Sequence, residues 1–482
     1  MIRLELSIAG AALLSCSALG AAICVARRAQ ADEPVGAREP HLMSETAEVT
    51  SVVDAFDDDD PFDLNLVVGF RQSWKHAKIR RETQLNQPSL ASGAFIPATE
   101  NIASYSSSTS TLLVGADVGL YHDLALIFRV PLILGWAQSL GDLNGSAAVD
   151  GQLLQDPLGG NPLFSVPFTS PTRSGIDYVS AGLDWAIYNQ QRDETKPTWV
   201  VGIEGRFSVG APLHACNANA PAGTPQCPDP SDPTNLAKNR DPGISPGYDS
   251  IVARSVWSRR FGYVEPYMGF WMQAQFAQSR SDFGAYNPPN DLERSPPLLG
   301  SFAAGVEVVP YERRETYQRL SADFRFKGTY QSPGRDYSEL FDALGTTTSQ
   351  SLRIPNPAAY MGSGGTSVAK SGTEQVYFTG VTEEQAYGSF LLSASATWQA
   401  GEYIKFTAGS SITYAQPHLV TAADTCTPNN TDRNVAGPCA SAAGVLGSPN
   451  PDHHDIIDLP GHRFSVDDTT IVDLWVMGVV MF

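Results

Sequence analysis

Along this chain apolar residues recur at every second position, in one segment after another. That period suits half-buried strands and not helices. The last segment shows it most plainly. In Ile471–Val472–Asp473–Leu474–Trp475–Val476–Met477–Gly478–Val479–Val480–Met481–Phe482, one face carries Val472, Leu474, Val476, Val480 and Phe482. An exposed apolar strand edge invites aggregation in water. A closed barrel has no free edge, and in lipid it turns its apolar face outward.

The same pattern recurs from residue 62 onward. Phe62–Arg71 sets Phe62, Leu64, Leu66, Val68 and Phe70 on one face and Asp63, Asn65 and Arg71 on the other. Leu112 to Leu120 alternates down to a tight turn at Tyr121–His122–Asp123, and Leu124 to Trp136 alternates back. Further pairs are Ile176–Asn189 with Thr198–Val209, Ser250–Arg260 with Tyr263–Ala277, Leu298–Pro310 with Arg319–Tyr330, and Ala386–Trp398 with Tyr403–Ala415. Thr470–Phe482 completes about twelve strands, an even number. Short turns alternate with long segments at 80–103, 137–175, 210–249, 278–297, 331–385 and 416–469. The expected fold is all-β: an antiparallel, up-and-down transmembrane barrel with short periplasmic turns and long extracellular loops. A soluble β-sandwich is the competing fold. Trp74, Trp136, Trp199, Trp257, Trp398, Tyr403 and Tyr414 fall near strand ends, where interfacial girdles sit.

Residues 1–31 carry Arg3, an apolar stretch from Leu6 to Ala26, and Ala29–Gln30–Ala31 ahead of Asp32. This is the form of a cleaved secretory signal. A membrane anchor, or a lipoprotein signal ending at Cys16, are the alternatives. Residues 32–60 form an acidic periplasmic lead-in ending in Asp57–Asp58–Asp59–Asp60, and residues 61–482 form the barrel. No other run approaches the roughly 18 apolar residues of a membrane helix. A net charge of −19 without a basic stripe argues against nucleic acid. Of six cysteines, Cys16 and Cys24 leave with the signal. Short loop closure favours Cys216–Cys227 and Cys426–Cys439 as disulfides, both in outer loops.

With the apolar face toward lipid, the other face lines the lumen. Its charges are Asp63, Arg71, Asp117, Arg129, Asp184, Glu204, Arg206, Arg254, Glu265, Glu307, Asp323, Arg325, Lys327, Lys405 and Asp473. Tyr178, Tyr188, Tyr267, Trp271, Gln273 and Gln275 lie between them. Charges at membrane depth must be paired or hydrated. Two arrangements fit: acid–base networks that fill and brace a narrow barrel, or a wet path for a small solute.

The terminal Phe482, with hydrophobic residues at alternate positions before it, resembles the signal that outer-membrane proteins present to the barrel assembly machinery. The run Leu113–Val114–Gly115–Ala116–Asp117–Val118–Gly119–Leu120–Tyr121–His122–Asp123–Leu124–Ala125–Leu126 resembles a recurrent hairpin of outer-membrane barrels. So do the stretches Gly175–Trp185 and Gly202–Gly210. Over residues 110–330 the chain is similar to the channel-like barrels of the phenol-degradation meta-pathway family. That resemblance implies an architecture and passage of apolar or aromatic solutes, and no site residue. The loops 210–249, 331–385 and 416–469 depart from the compact family pattern.

No enzyme pattern emerges. None of the eight histidines stands at mid-strand on the inward face, where a nucleophile or water would need a base. His453–His454–Asp455 with His462 is the nearest approach to a metal or rim site, and the tetra-aspartate run lacks the spacing of a calcium loop. No cofactor or metal is expected. The favoured function is passive passage of small apolar or aromatic solutes through the outer membrane, with lipid and lipopolysaccharide around the barrel. A structural or binding barrel acting through its long outer loops is second, and a rim-located enzyme third.

Overall fold

The computed structural model describes residues 47–55, 63–83, 98–143, 153–156, 162–230, 237–283, 296–355, 375–424 and 453–482. Twelve strands among them close one antiparallel barrel. They are β1 (Leu64–Thr83), β2 (Ala98–Tyr121), β3 (Leu124–Asp142), β4 (Val179–Tyr188), β5 (Thr198–Phe207) and β6 (Tyr248–Ser258). The second half comprises β7 (Val264–Ala277), β8 (Leu299–Arg313), β9 (Gln318–Gln331), β10 (Tyr387–Gly401), β11 (Ile404–Ala415) and β12 (Phe464–Met481). Each pairs with its neighbours in the chain, and β1 pairs back on β12. Leu64 and Phe482 exchange backbone hydrogen bonds of 3.0 and 2.9 Å and form the last rung of that closure.

The tight turns form where the backbone can take a left-handed residue: His122 at φ 39° between β2 and β3, and Gly262 at φ 62° between β6 and β7. Between them the strands carry an apolar outer belt. On β1 it is Leu66, Val68 and Phe70, on β12 Val472, Leu474 and Val476, and on β7 Met272, which is 72% exposed. Such a continuous apolar surface on a closed barrel is stable in hydrocarbon and not in water.

Above the belt the polarity of the two faces reverses. On β1, His76, Lys78 and Arg80 follow Trp74 on the outside, while Ala77 and Ile79 point in and are buried. A bulge between His76 and Lys78, opposite Asp468 at φ 52°, marks the change. Lys78 and Arg80 then pair outside with Asp468 and Asp467 at 2.6 and 2.7 Å. The extended walls enclose an apolar core of Ile79, Ile102, Tyr105, Leu140, Phe164, Leu344, Ile457 and Phe464, built from strand extensions and long loops together. Helix α1 (Phe341–Gly345) is wholly buried in this cap, and α2 (Asp455–Asp458) packs beside it.

Several sequence expectations need correction. β1 runs on to Thr83 and β2 starts at Ala98, so much of segment 80–103 is strand. β3 reaches Asp142, and Phe168–Thr169 and Arg173–Ile176 pair back onto it inside segment 137–175. β12 starts at Phe464 rather than Thr470. The connection left between Leu298–Pro310 and Arg319–Tyr330 shrinks to a single 3-10 turn, Arg314–Thr316. Trp136 is no girdle residue: it packs against the loop core, with the Arg173 guanidinium 5.3 Å from its ring. Tyr188 faces out, 42% exposed, because the β4–β5 register shifts between Ala186 and Tyr188. The signal segment, the tetra-aspartate run, Cys426 and Cys439 lie outside the described residues.

Candidate functional site

The short-turn end of the barrel is occupied. Of the lead-in, residues 47–55 are described, and they sit within the barrel mouth rather than beyond it. A turn brings the Thr50 N–H to the Ala47 carbonyl at 2.8 Å. The Lys405 ammonium donates to the Glu48 carboxylate at 2.5 Å, and the Glu48 N–H to Glu307 Oε2 at 3.2 Å. Thr50 Oγ1 meets Ser258 Oγ at 2.8 Å, and Ala55 exchanges backbone hydrogen bonds with His122. Ala47, Thr50 and Ala55 are buried. Gly119 makes room for this segment: a Cβ there would lie 1.6 Å from the Asp54 carbonyl oxygen. A cavity of about 160 Å³ remains between the segment and the wall, bordered by Asp117, Arg129, Asp184 and Arg254.

Most of the inward charges are joined in pairs. Arg129 binds Asp117 through two guanidinium nitrogens at 2.5 and 2.9 Å, and Arg254 binds Asp184 at 2.9 Å. Arg206 reaches back two residues to Glu204 at 3.0 Å, and Arg325 likewise to Asp323 at 3.2 Å. The period of two puts each such pair on the same face. Tyr267 Oη donates to Asp323 at 2.5 Å. Arg71 binds Asp473 at 2.7 Å, and Ser411 Oγ donates to the same carboxylate at 2.9 Å. Asp473 is 2% exposed, but the Arg71 side chain is 57% exposed while standing on the inner wall, so the mid-barrel holds open space. Glu307 meets Arg319 at 3.4 Å, and Glu265 accepts from Ser258 Oγ at 2.6 Å. Lys327 stands 5.8 Å from the Trp271 ring centroid. Asp63 precedes β1 at the rim, where its backbone carbonyl accepts from the Gly119 N–H at 2.9 Å.

Two charged partners in these networks, Arg319 and Glu48, are not among the residues expected from the sequence. Arg319 has the same strand parity as Asp323 and Arg325, so the alternation could have supplied it. Glu48 lies ahead of the barrel, and nothing in its neighbourhood marks it as a partner of Lys405.

At the long-loop end, Asp342 of α1 joins three loops. Its carboxylate accepts from Arg173 at 2.7 and 3.0 Å, from the Cys216 N–H at 2.8 Å, and from Gln138. Arg173 and Asp342 are 0% and 4% exposed. Cys216 is disulfide-bonded to Cys227. Nearby, Asp282 bridges Arg240 at 2.8 Å and His214 at 3.2 Å. Burial pushes its carboxyl up, but Arg240 and His214 outweigh that and hold it down at about 2. Lys75 reaches from the β1 wall to Glu339 at 2.6 Å, under the cap. His453 and His462 serve the α2 loop, their ring nitrogens at 2.8 Å from the Ala423 and Asp455 carbonyls respectively.

Fold and site together define a closed barrel with an apolar outer belt, an ion-paired middle and a chain segment seated at each end. No family model matches the chain, and no curated protein matches it. The hairpin resemblance to the phenol-degradation meta-pathway family thus has no family match behind it. Among solved structures the chain is similar to the COG4313 outer membrane channel from Pseudomonas putida F1, at 9% identity and a TM-score of 0.33, over 89% of this chain and 100% of that one. It is similar to a deltaS2 mutant of the TodX monoaromatic hydrocarbon channel at 9% identity and 0.31, over 92% and 94%. A Pseudomonas aeruginosa FadL homologue follows at 10% identity and 0.29, over 87% and 89%. Likeness of this degree carries no argument about family or function.

Proposed function

We propose that this protein is an outer-membrane barrel that gives small solutes with an apolar or aromatic body passive passage, and that its inward charges line the path. The observation that carries this reading is the open mid-barrel around Arg71, whose side chain is 57% exposed on the inner wall. A barrel braced only by packed ion pairs has no use for that space. The segment 47–55 is tied to the wall by the Lys405–Glu48 ion pair and a few hydrogen bonds, so it is the movable closure. In the cell the chain is exported by its leader, inserted by the assembly machinery and surrounded by outer-membrane lipid and lipopolysaccharide. It acts without an enzyme activity or a cofactor.

Planar-bilayer conductance of the intact protein, compared with a variant lacking residues 47–55, tests the reading. The shortened protein is expected to conduct more than the intact one. A folded barrel that conducts nothing with or without the segment would sink it. One observation favours the second reading, a surface barrel acting through its loops: the long loops build a packed apolar core on the strand extensions. That reading requires the zero-conductance result.

A further inference from the structure

Three cations of the mid-barrel have a carboxylate each: Arg71 has Asp473, Arg206 has Glu204 and Arg325 has Asp323. The fourth, Lys327, has none within ion-pair reach among the described residues. Arg325, Arg206 and Arg71 each add positive charge around it. A lysine held among like charges at membrane depth is unfavourable unless an anion or water compensates it. The same stretch of wall is aromatic. The Arg206 guanidinium lies 5.3 Å from the Tyr178 ring, that of Arg325 5.5 Å from Tyr267, and the Lys327 ammonium 5.8 Å from Trp271. Each ring shares its face with a cation and leaves an apolar body beside it.

We infer that Lys327 and Trp271 form a binding site for the carboxylate and ring of a small aromatic monocarboxylate. This deepens the passage reading by naming the solute class. The carboxylate supplies the charge that Lys327 lacks, and the ring lies against Trp271 and takes the place of water. Arg71, Arg206 and Arg325 strengthen the local positive potential without giving up their own partners. A neutral solute of the same shape gains only the ring contact.

Equilibrium dialysis of the purified full-length barrel in detergent, at low salt, tests this with labelled benzoate and benzyl alcohol as probes. The native protein is expected to hold benzoate at least about tenfold more tightly than benzyl alcohol. Lys327→Gln should lower benzoate affinity by about tenfold and leave benzyl alcohol unchanged, while Lys327→Arg should keep benzoate bound. Trp271→Leu should weaken both probes. Heat-modifiable gel mobility verifies that each variant is folded. Equal affinity for the two probes, no binding of either, or benzoate binding indifferent to Lys327→Gln would each overturn the inference. Binding is read without transport. A barrel that binds benzoate but does not conduct removes the passage reading and leaves the site standing; one that conducts without discriminating does the reverse.

Discussion

Asp342 shows how much one side chain can hold. It accepts from Gln138 on β3, from Arg173 in the connection after β3 and from Cys216 in the connection after β5, and it does so out of contact with water. Replacing it with alanine leaves the Arg173 guanidinium buried without its counter-charge, which costs about 3–5 kcal/mol for a pair of this kind. The cap of Asp342→Ala is expected to exchange amide hydrogens far faster than the native cap while the barrel strands stay protected. Unchanged exchange around residues 173, 216 and 342 would contradict the assigned role. Phe128 and Arg129 are adjacent on β3 and face opposite ways: Phe128 is 41% exposed in the outer belt, and Arg129 binds Asp117 inside. Phe128→Arg should destabilise the inserted barrel by roughly 2–4 kcal/mol if it lies near the bilayer midplane. Arg129→Gln should leave insertion nearly intact. Urea titration in lipid vesicles compares the two, and equal tolerance would mean the faces are reversed.

At the scale of elements, the closure at residues 47–55 depends on a neighbour without a side chain. Gly119 of β2 faces the segment, and the Asp54 carbonyl passes where a Cβ would stand. Gly119→Ala is therefore expected to displace the segment without breaking the β2 ladder and to raise bilayer conductance. Conductance equal to that of the native protein would show that the segment is no closure. The sequence made the belt legible because lipid and lumen impose opposite polarity on alternate residues, as in Leu66–Val68–Phe70 against Asn65 and Arg71. It hid the strand extensions because that rule changes sign above the belt. Ile79 turns in and Lys78 out, and the serines from Ser104 to Ser110 carry no apolar period at all. The pairs within one strand, Glu204–Arg206 and Asp323–Arg325, could be read from spacing. Arg173–Asp342, 169 residues apart, could not, since nothing local to either residue specifies the other. Cys216–Cys227 was legible because only 11 residues separate the partners.

For the whole molecule, the barrel is a closed cylinder with two closures of different character: a short turn-containing segment at one end and a packed cap at the other. The cap rests on a charged layer in which Asp336, Glu339 and Glu384 share one ammonium, that of Lys75, which bonds Glu339. Burial pushes Asp336 up to about 6, only partly offset by the Tyr337 N–H and Lys75, and Glu339 adds to the rise. Glu384 rises as well, through burial first and then the charges of Asp336 and Glu339. Glu339 moves the other way: burial raises it, but Lys75 outweighs burial and holds it low. His418, on the neighbouring connection, is pushed down by burial and so stays neutral to pH values below its ordinary range. For Asp336 the folded value lies above the unfolded one of about 3.9, so the folded cap binds more protons between the two. Its contribution to stability is then full below about pH 4 and is lost as pH rises through about 6. Glu384 acts with the same sign. The cap is therefore expected to open more readily at pH 7.5 than at pH 5, at roughly equal ionic strength so that screening is constant. Amide exchange of residues 336–344, corrected for the intrinsic pH dependence of exchange, measures this. Asp336→Asn combined with Glu384→Gln should slow opening at the higher pH and flatten the difference, because neither amide has a proton to lose. A cap whose corrected exchange is the same at both pH values in the native protein would show that the layer keeps its charges compensated throughout, and that the outer closure does not respond to pH.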